Sequence, residues 1–487
     1  MKARIPHKFF LLVQKYSLES MLKAVSSWAF DLYNNPDKDM GYFAGNRFYK
    51  PSIEKVMLVQ TWLIDLVYEL INYNHYGQED ISLNEALKLI GLYGNYKNDT
   101  EHTLYSKKDI FLYVYGFFGE QRRFQSNSFF EEFAREKYIL EKISKCSEAN
   151  CYNINYKDEF FQETSFSTDV YSANLFSIFA MFVFKSSIVS KESVIQYHSK
   201  SPINSDDILF IMDNYSISIE EIRNHPLRRQ VLYTKPIIKM DNYYIATNPF
   251  LLLALFANSN YWVLRNKYYN IKSQNFLNAF GIYFEKYVEE ILLHCLDENE
   301  YIKIPESNKE KRSDWKLNLQ GFNFLVEQKS TLPVLGIKQN QPDIQAMKKH
   351  ILKAWGEAVE QLSETEKHYN LKFIKIILVY DEYFKSEALE ELFRIRTDLH
   401  NDGNYWLLNI REFEMLMMLY HDNKELFKAV INEKMQSESV FSLDGRELYF
   451  FLDKYGIIHN DYLTKLGIYS EADRIIKYYI NEETQGK

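Results

Sequence analysis

The chain has 487 residues, 46% of them hydrophobic and 25% charged, which excludes global disorder and, at about 150 residues per domain, leaves room for two to four domains. Gly (16) and Pro (10) are scarce while aromatics reach 16%, a balance that favours long helices over a turn-rich all-β fold. A net charge of −8 excludes a uniformly basic, histone-like protein and confines any polyanion contact to a local patch.

The N-terminus begins basic, but the apolar run before Gln14 is only five residues long, 9–13, too short for a signal segment. Apolar residues at three- and four-residue spacing predict helices over 18–32, 53–73, 83–93 and 129–144. Tyr113, Tyr115, Phe117 and Phe118 are assigned to the core of this helical N-terminal domain, 1–145; base stacking is the other use of such a stripe. The same domain is the candidate surface for a homo-oligomer or a partner protein.

Residues 146–270 are mixed in character, a linker or a small α/β region. Cys146 and Cys151 have no His or second Cys pair at zinc-ligand spacing, and an odd total of three cysteines fits a reducing compartment. The apolar runs 175–184 and 250–257 fall short of the roughly 18 residues that a spanning helix needs. The expectation is therefore a soluble, cytoplasmic protein without a membrane partner. Two short helices at 206–213 and 216–222, then a hairpin over 230–240 and 243–247, match the order of a winged DNA-binding module, with Arg223, Arg228 and Arg229 nearby. Ordinary packed helices produce the same pattern.

After Asn270 strands and helices alternate. The spacing predicts a helix over 273–296, a hairpin over 313–332, a helix over 344–369, a strand over 373–380, a helix over 387–399, a strand over 406–409 and a helix over 410–420. That order indicates an α/β domain, 271–420, whose mixed sheet is covered on both faces. Residues 421–487 form a helical C-terminal appendage. The fold class is thus multidomain and mainly α, with one α/β domain in the C-terminal half.

The chemistry concentrates in the hairpin. With a two-residue turn at Gln320-Gly321, Leu319 faces Phe322, and counting outward sets Asp314 opposite Glu327, about 5 Å apart at Cβ. Period-two alternation then puts Glu327 and Lys329 on one face, with Val326 and Gln328 on the other. Paired carboxylates at this spacing suit a hard divalent cation, Mg²⁺ by default with Mn²⁺ as substitute. The adjacent Lys329 ammonium is suited to activating water and stabilising developing negative charge. The set fits phosphodiester hydrolysis.

Asp314 followed by Glu327-Gln328-Lys329 resembles the Asp…Glu-x-Lys signature of the PD-(D/E)XK nuclease superfamily, the restriction-endonuclease-like fold. Gly281-Ile282-Tyr283-Phe284-Glu285, on the preceding helix, is similar to the Gly-x-x-Phe-Glu of many members. Gln361, in Glu357-Ala358-Val359-Glu360-Gln361-Leu362, resembles the Gln that reaches the active site in several branches. The resemblance covers about 271–420, and Ser313 stands where the Pro of the name would be. It implies a Mg²⁺ site built from Asp314, Glu327, Glu285 and the Gln328 carbonyl, with Lys329 and Gln361 completing the catalytic set. It also implies a DNA substrate in preference to RNA, and a part in prokaryotic defence or restriction. Taken alone, Glu285 also reads as the polar edge of an amphipathic helix. The rival reading is a nucleic-acid-binding or regulatory protein that keeps the fold without turnover.

Charge is unevenly spread. Residues 301–354 hold ten Lys or Arg against five acids, a local +5 in a chain of −8. Lys309, Lys311, Arg312, Lys316 and the Lys348-Lys349 pair are the candidate phosphate contacts.

Overall fold

Helix-period spacing and side-chain caps organise the N-terminal region. Ser17 caps the helix Leu18–Asn34 by accepting from the Ser20 N–H, and the helices His7–Lys15, Gln60–Tyr73 and Leu83–Leu104 pack with it. The structure is a computed structural model that describes residues 6–36, 47–49, 56–104, 129–199, 201, 203–305, 310–332, 344–381, 388–437 and 447–484. Tyr113, Tyr115, Phe117, Phe118 and Lys309 lie outside the described residues. The expected helix over 53–73 starts later. Arg47–Tyr49 (β1) and Val56–Leu58 (β2) pair antiparallel, and the helix begins at Gln60 after an extended Val59. Strand pairing of a β-branched, apolar segment overrides its helical spacing there.

The middle of the chain forms a four-stranded mixed sheet from Ile188–Ser190 (β3), Ser216–Ser218 (β4), Ile237–Lys239 (β5) and Tyr243–Ala246 (β6), in the order β3-β6-β5-β4. The hairpin β5–β6 forms around Asp241-Asn242 as expected, but its first arm is shorter than 230–240, because Arg228–Gln230 and Val231–Thr234 are helical turns. Residues 216–218 differ: they are a strand parallel to β5, and only then does a helix start, with Ser218 and Glu221 in a capping box. Alternation sends Ile217, Ile238 and Ile245 into the N-terminal core and Val189, Ile237, Tyr244 and Ala246 into the large central core. A sheet buried on both faces presents no free wing. Arg223 donates to the carbonyls of Ile71 (2.9 Å) and Asn74 (3.0 Å), and Arg229 pairs with Asp65 (3.3 Å). These two arginines hold the end of the Gln60–Tyr73 helix and its buried Asp65, where the winged pattern would have them on DNA.

The second mixed sheet has five strands: Tyr301–Lys303 (β7), Trp315–Leu319 (β8), Phe322–Lys329 (β9), Ile374–Val379 (β10) and Tyr405–Asn409 (β11), in the order β11-β10-β9-β8-β7. β7, β8 and β9 run antiparallel, and β10 and β11 continue parallel to β9. One face, with Trp315, Phe324, Val326, Ile376 and Trp406, packs on the helices Asn275–Cys295 and Ile410–Asp422. The other, with Leu325, Ile377 and Leu407, packs on Ile344–His350, Gly356–Tyr369 and Ala388–Ile395. Each large apolar side chain buried in these layers contributes roughly 1.5–3 kcal/mol. The chain is thus mostly helical, with two small mixed sheets. Among the described residues no single helix is long and apolar enough to cross a membrane. All three cysteines are free thiols.

The turn that joins β8 to β9 is the tightest local constraint. Gln320 (φ 50°) and Gly321 (φ 83°) are both left-handed, the primed turn whose twist matches a two-residue hairpin. A Cβ at Gly321 would meet no atom within 4 Å, so a side chain there would strain only the backbone. Gly321→Ala is expected to destabilise the hairpin by about 1 kcal/mol, read as roughly fivefold faster amide exchange over 315–329. Unchanged exchange would mean that the left-handed turn does not hold the strands.

Candidate active site

The register fixes the site. Leu319 pairs with Phe322 and Trp315 with Val326; Asp314, one step before β8, lies close enough to Glu327 for its charge to act on that carboxyl. Two bonds hold Asp314 at this end of the hairpin: its N–H donates to the Val326 carbonyl (3.1 Å), one residue off the register of β8, and its Oδ2 accepts from the Gln328 N–H (2.8 Å). Glu327 and Lys329 share the face of Leu325. That is the face covered by the Gly356–Tyr369 helix.

This helix carries Gln361 to the strands. Lys329 Nζ donates to Glu327 Oε1 (2.7 Å) and to Gln361 Oε1 (2.9 Å), while Gln361 Nε2 donates to the Arg312 carbonyl (3.1 Å). One turn on, Thr365 Oγ1 accepts from the buried Ser313 N–H (2.8 Å). Gln361 and Thr365 therefore pin both residues that precede Asp314. A π-helical turn at Ile351–Trp355 sits just ahead of them, in the kind of place where such turns re-phase a helix near functional groups. Buried Ala358 and nearly buried Ala354 allow the close approach.

Burial sets the electrostatics. Glu327 is 2% exposed. Loss of solvent first, and the like charge of Asp314 second, push its carboxyl up to about 8 against the pull of Lys329 and Gln361. Asp314 keeps some contact with the cleft, and its carboxyl rises only to about 6, again from burial, opposed by the Gln328 N–H and by Lys329. Glu285 raises Asp314 further and Lys303 lowers it, so both lie within electrostatic reach. Glu285 approaches from the opposite helix layer, one turn beyond Gly281, where an added Cβ would touch Ser330 Oγ at 3.5 Å. Its carboxylate is ion-paired with Lys303.

Two carboxylates, Asp314 and Glu327, are the groups available here to a hard divalent cation. Glu327 Oε2 is buried and has no hydrogen-bond partner, an orphaned carboxyl oxygen that a cation taking the place of the proton would satisfy. Asp314 lies within electrostatic reach of it. The Gln328 carbonyl points to the same side as that of Val326, which faces Asp314. Among the described residues no group of three or more His, Cys, Asp or Glu side chains forms a ready-made cage; Glu285 is turned to its lysine instead.

The basic residues divide. Asp314 and Gln361 open on a cleft of about 450 Å³ also lined by Lys311 and Arg312, and a second of about 290 Å³ shares both cations and ends at His368 and Tyr369. Lys311 is paired with Glu360 and Arg312 with Glu310 (2.7 Å). Lys316 Nζ lies 4.4 Å from the Tyr369 ring centroid, at the far end of the second cleft. Lys348 and Lys349 stand on the Ile344–His350 helix and line neither cleft. Strand β7, Thr365 and the Lys303 partner of Glu285 escape a reading of the sequence. Gln361 and Thr365, four apart on one helix face, are the signal for Thr365, and the alternating Tyr-Ile-Lys of 301–303 is a faint one for β7.

Both carboxyls are raised, so the folded protein holds protons that the unfolded chain releases. Their contribution to stability is full below the ordinary carboxylate range and is lost as pH climbs through about 6 and then about 8. In metal-free buffer the melting temperature should fall between pH 5 and 8.5, and Glu327→Gln should flatten the upper part of that fall. Identical slopes in variant and wild type would mean that Glu327 titrates like an exposed carboxylate.

No family model, curated protein or solved structure matches the chain.

Proposed function

We propose that the protein is a metal-dependent nuclease that hydrolyses phosphodiester bonds, with DNA as substrate and with Asp314, Glu327, Lys329, Gln361 and Glu285 as its working residues. The observation that carries the reading is the buried Glu327, one oxygen on Lys329 and the other without a hydrogen bond, within electrostatic reach of Asp314. Buried acids with raised affinity for protons and a specific charged neighbour in a cleft are candidate functional groups.

Asp314, Glu327, Glu285 and the Gln328 carbonyl would hold Mg²⁺ or Mn²⁺, which when bound supplies charge neutralisation and polarises a phosphoryl oxygen. The chain's own groups do the rest. Glu327 Oε1 and Gln361 Oε1 take two of the three Lys329 N–H bonds, and the third is directed to the attacking water or to a phosphoryl oxygen. In that position Lys329 stabilises the negative charge that develops as water adds in line. Gln361, fixed by the Arg312 carbonyl, keeps the ammonium from collapsing onto Glu327 alone. Lys311 and Arg312 at the cleft wall would receive the flanking phosphates. A role as a prokaryotic defence or restriction effector belongs to the same proposal, and rests on the resemblance of Asp314, Glu327 and Lys329 to the PD-(D/E)XK signature.

Cleavage of supercoiled plasmid with Mg²⁺ or Mn²⁺ should be abolished by EDTA and should fall at least about 10²-fold in Asp314→Asn and Lys329→Met. Gln361→Ala should cost about tenfold. Activity that survives both Asp314→Asn and Lys329→Met would move the chemistry elsewhere. Binding of DNA without cleavage under any of these conditions would favour the non-catalytic reading.

A further inference from the structure

One charged pair at the site is unaccounted for by this scheme. Lys303 ends β7, an edge strand, in register with Trp315, and its neighbour Ile304 donates its N–H to the Asp314 carbonyl (2.8 Å). Backbone pairing therefore holds Lys303 beside Asp314. Its ammonium lies 5.8 Å from the Trp315 ring centroid and is ion-paired with Glu285. Glu285 and Lys303 both act on Asp314, in opposite senses. The third carboxylate of the site is thus already neutralised by a cation that belongs to the chain.

The two lysines of the site are held differently. Lys329 is 18% exposed and anchored by a buried carboxylate and an amide. Lys303 is 45% exposed and Glu285 26%, so water can replace each partner for the other at little cost. A long, solvent-facing ammonium on an edge strand can swing out; Lys329 cannot leave without stranding Glu327.

We propose that Lys303 is an internal competitor for the cation: its ammonium occupies Glu285 until a divalent ion seats on Asp314 and Glu327, and its displacement sets how tightly that ion is bound. The inference rests on reading Asp314 and Glu327 as cation ligands. It makes Lys303 a positioning residue whose loss strengthens ion binding, the opposite of what a substrate-holding or purely structural lysine would show.

Binding of Mn²⁺ to the full chain, followed by water-proton relaxation and by calorimetry at pH 8, tests this without any reference to cleavage. Lys303→Gln should tighten binding by about three- to tenfold, the scale of one partly exposed ion pair plus one like-charged neighbour. In a Glu285→Gln background the same substitution should give a clearly smaller gain. Melting temperatures near that of wild type show that the variants are folded, and Lys303→Met provides a second replacement. If Asp314→Asn abolishes Mn²⁺ binding while Lys303→Gln and Lys303→Met bind no tighter than wild type, the competitor role is overturned and the cation site stands. If Asp314→Asn binds Mn²⁺ as wild type does, the cation site fails and the competitor role with it.

Discussion

The register of β8 on β9 governs the site, and hydrophobic patterning alone would not hold it. β9 is buried on both faces: Phe324 and Val326 enter one core and Leu325 the other. In a half-exposed strand a one-residue slip would expose apolar groups and be rejected; in β9 it would exchange one apolar face for another. The register is therefore written into the turn, with Gln320 and Gly321 both left-handed, and into the Asp314–Gln328 hydrogen bond. A slip would carry Asp314 away from Glu327 and from the Gln361 layer. The least conspicuous part of the hairpin thus specifies its chemistry.

Several other buried charges are held by the fold itself. Glu414 is fully buried, yet Arg135 grips it with two bonds (2.6 and 2.7 Å), Tyr287 adds a third (2.6 Å) and Asn460 a fourth. That network ties the Phe129–Glu141 helix, the Asn275–Cys295 helix and the C-terminal segment to Ile410–Asp422, and leaves neither carboxylate oxygen without a donor. Glu412 closes a capping box with Asn409. Lys375, buried in β10, is met by Glu366 (2.9 Å) and Asp402 (2.6 Å). In these networks buried charge serves architecture and is satisfied. Glu327 keeps an oxygen with no donor, a cost that packing does not return and that ligand binding would.

How much of this was legible in the sequence follows from the range of the forces involved. The hairpin, its register and the Glu-x-Lys face depend on a local turn and on period-two alternation, and the series of helices and strands from 273 to 420 emerged with its boundaries shifted by a few residues. Ser216–Ser218 was misread because three residues with one isoleucine carry no period, and only the parallel partner β5 makes them a strand. β7 is equally short. The pairing of Glu285 with Lys303 joins a helix to an edge strand through tertiary contact, and no spacing along the chain encodes it.

The charge count shows the same limit. Residues 301–354 carry +5, which reads as a free basic surface. In the folded chain Lys303 meets Glu285, Lys311 meets Glu360 and Arg312 meets Glu310. Two of those three acids come from helices outside the segment. Three of the segment's ten cations are therefore ion-paired, and two of them, Lys311 and Arg312, stand at the wall of a cleft. Such pairs are individually weak because water competes for both partners, and exchanging a carboxylate for a phosphate conserves the pairing while releasing the ions condensed on a polyanion. On the proposed reading, the acids beside the cleft keep its cations ordered and the site neutral until a polyanion takes their place. The −8 of the whole chain then sits easily with a polyanionic substrate, because the exchange at the cleft is local and the net charge is not.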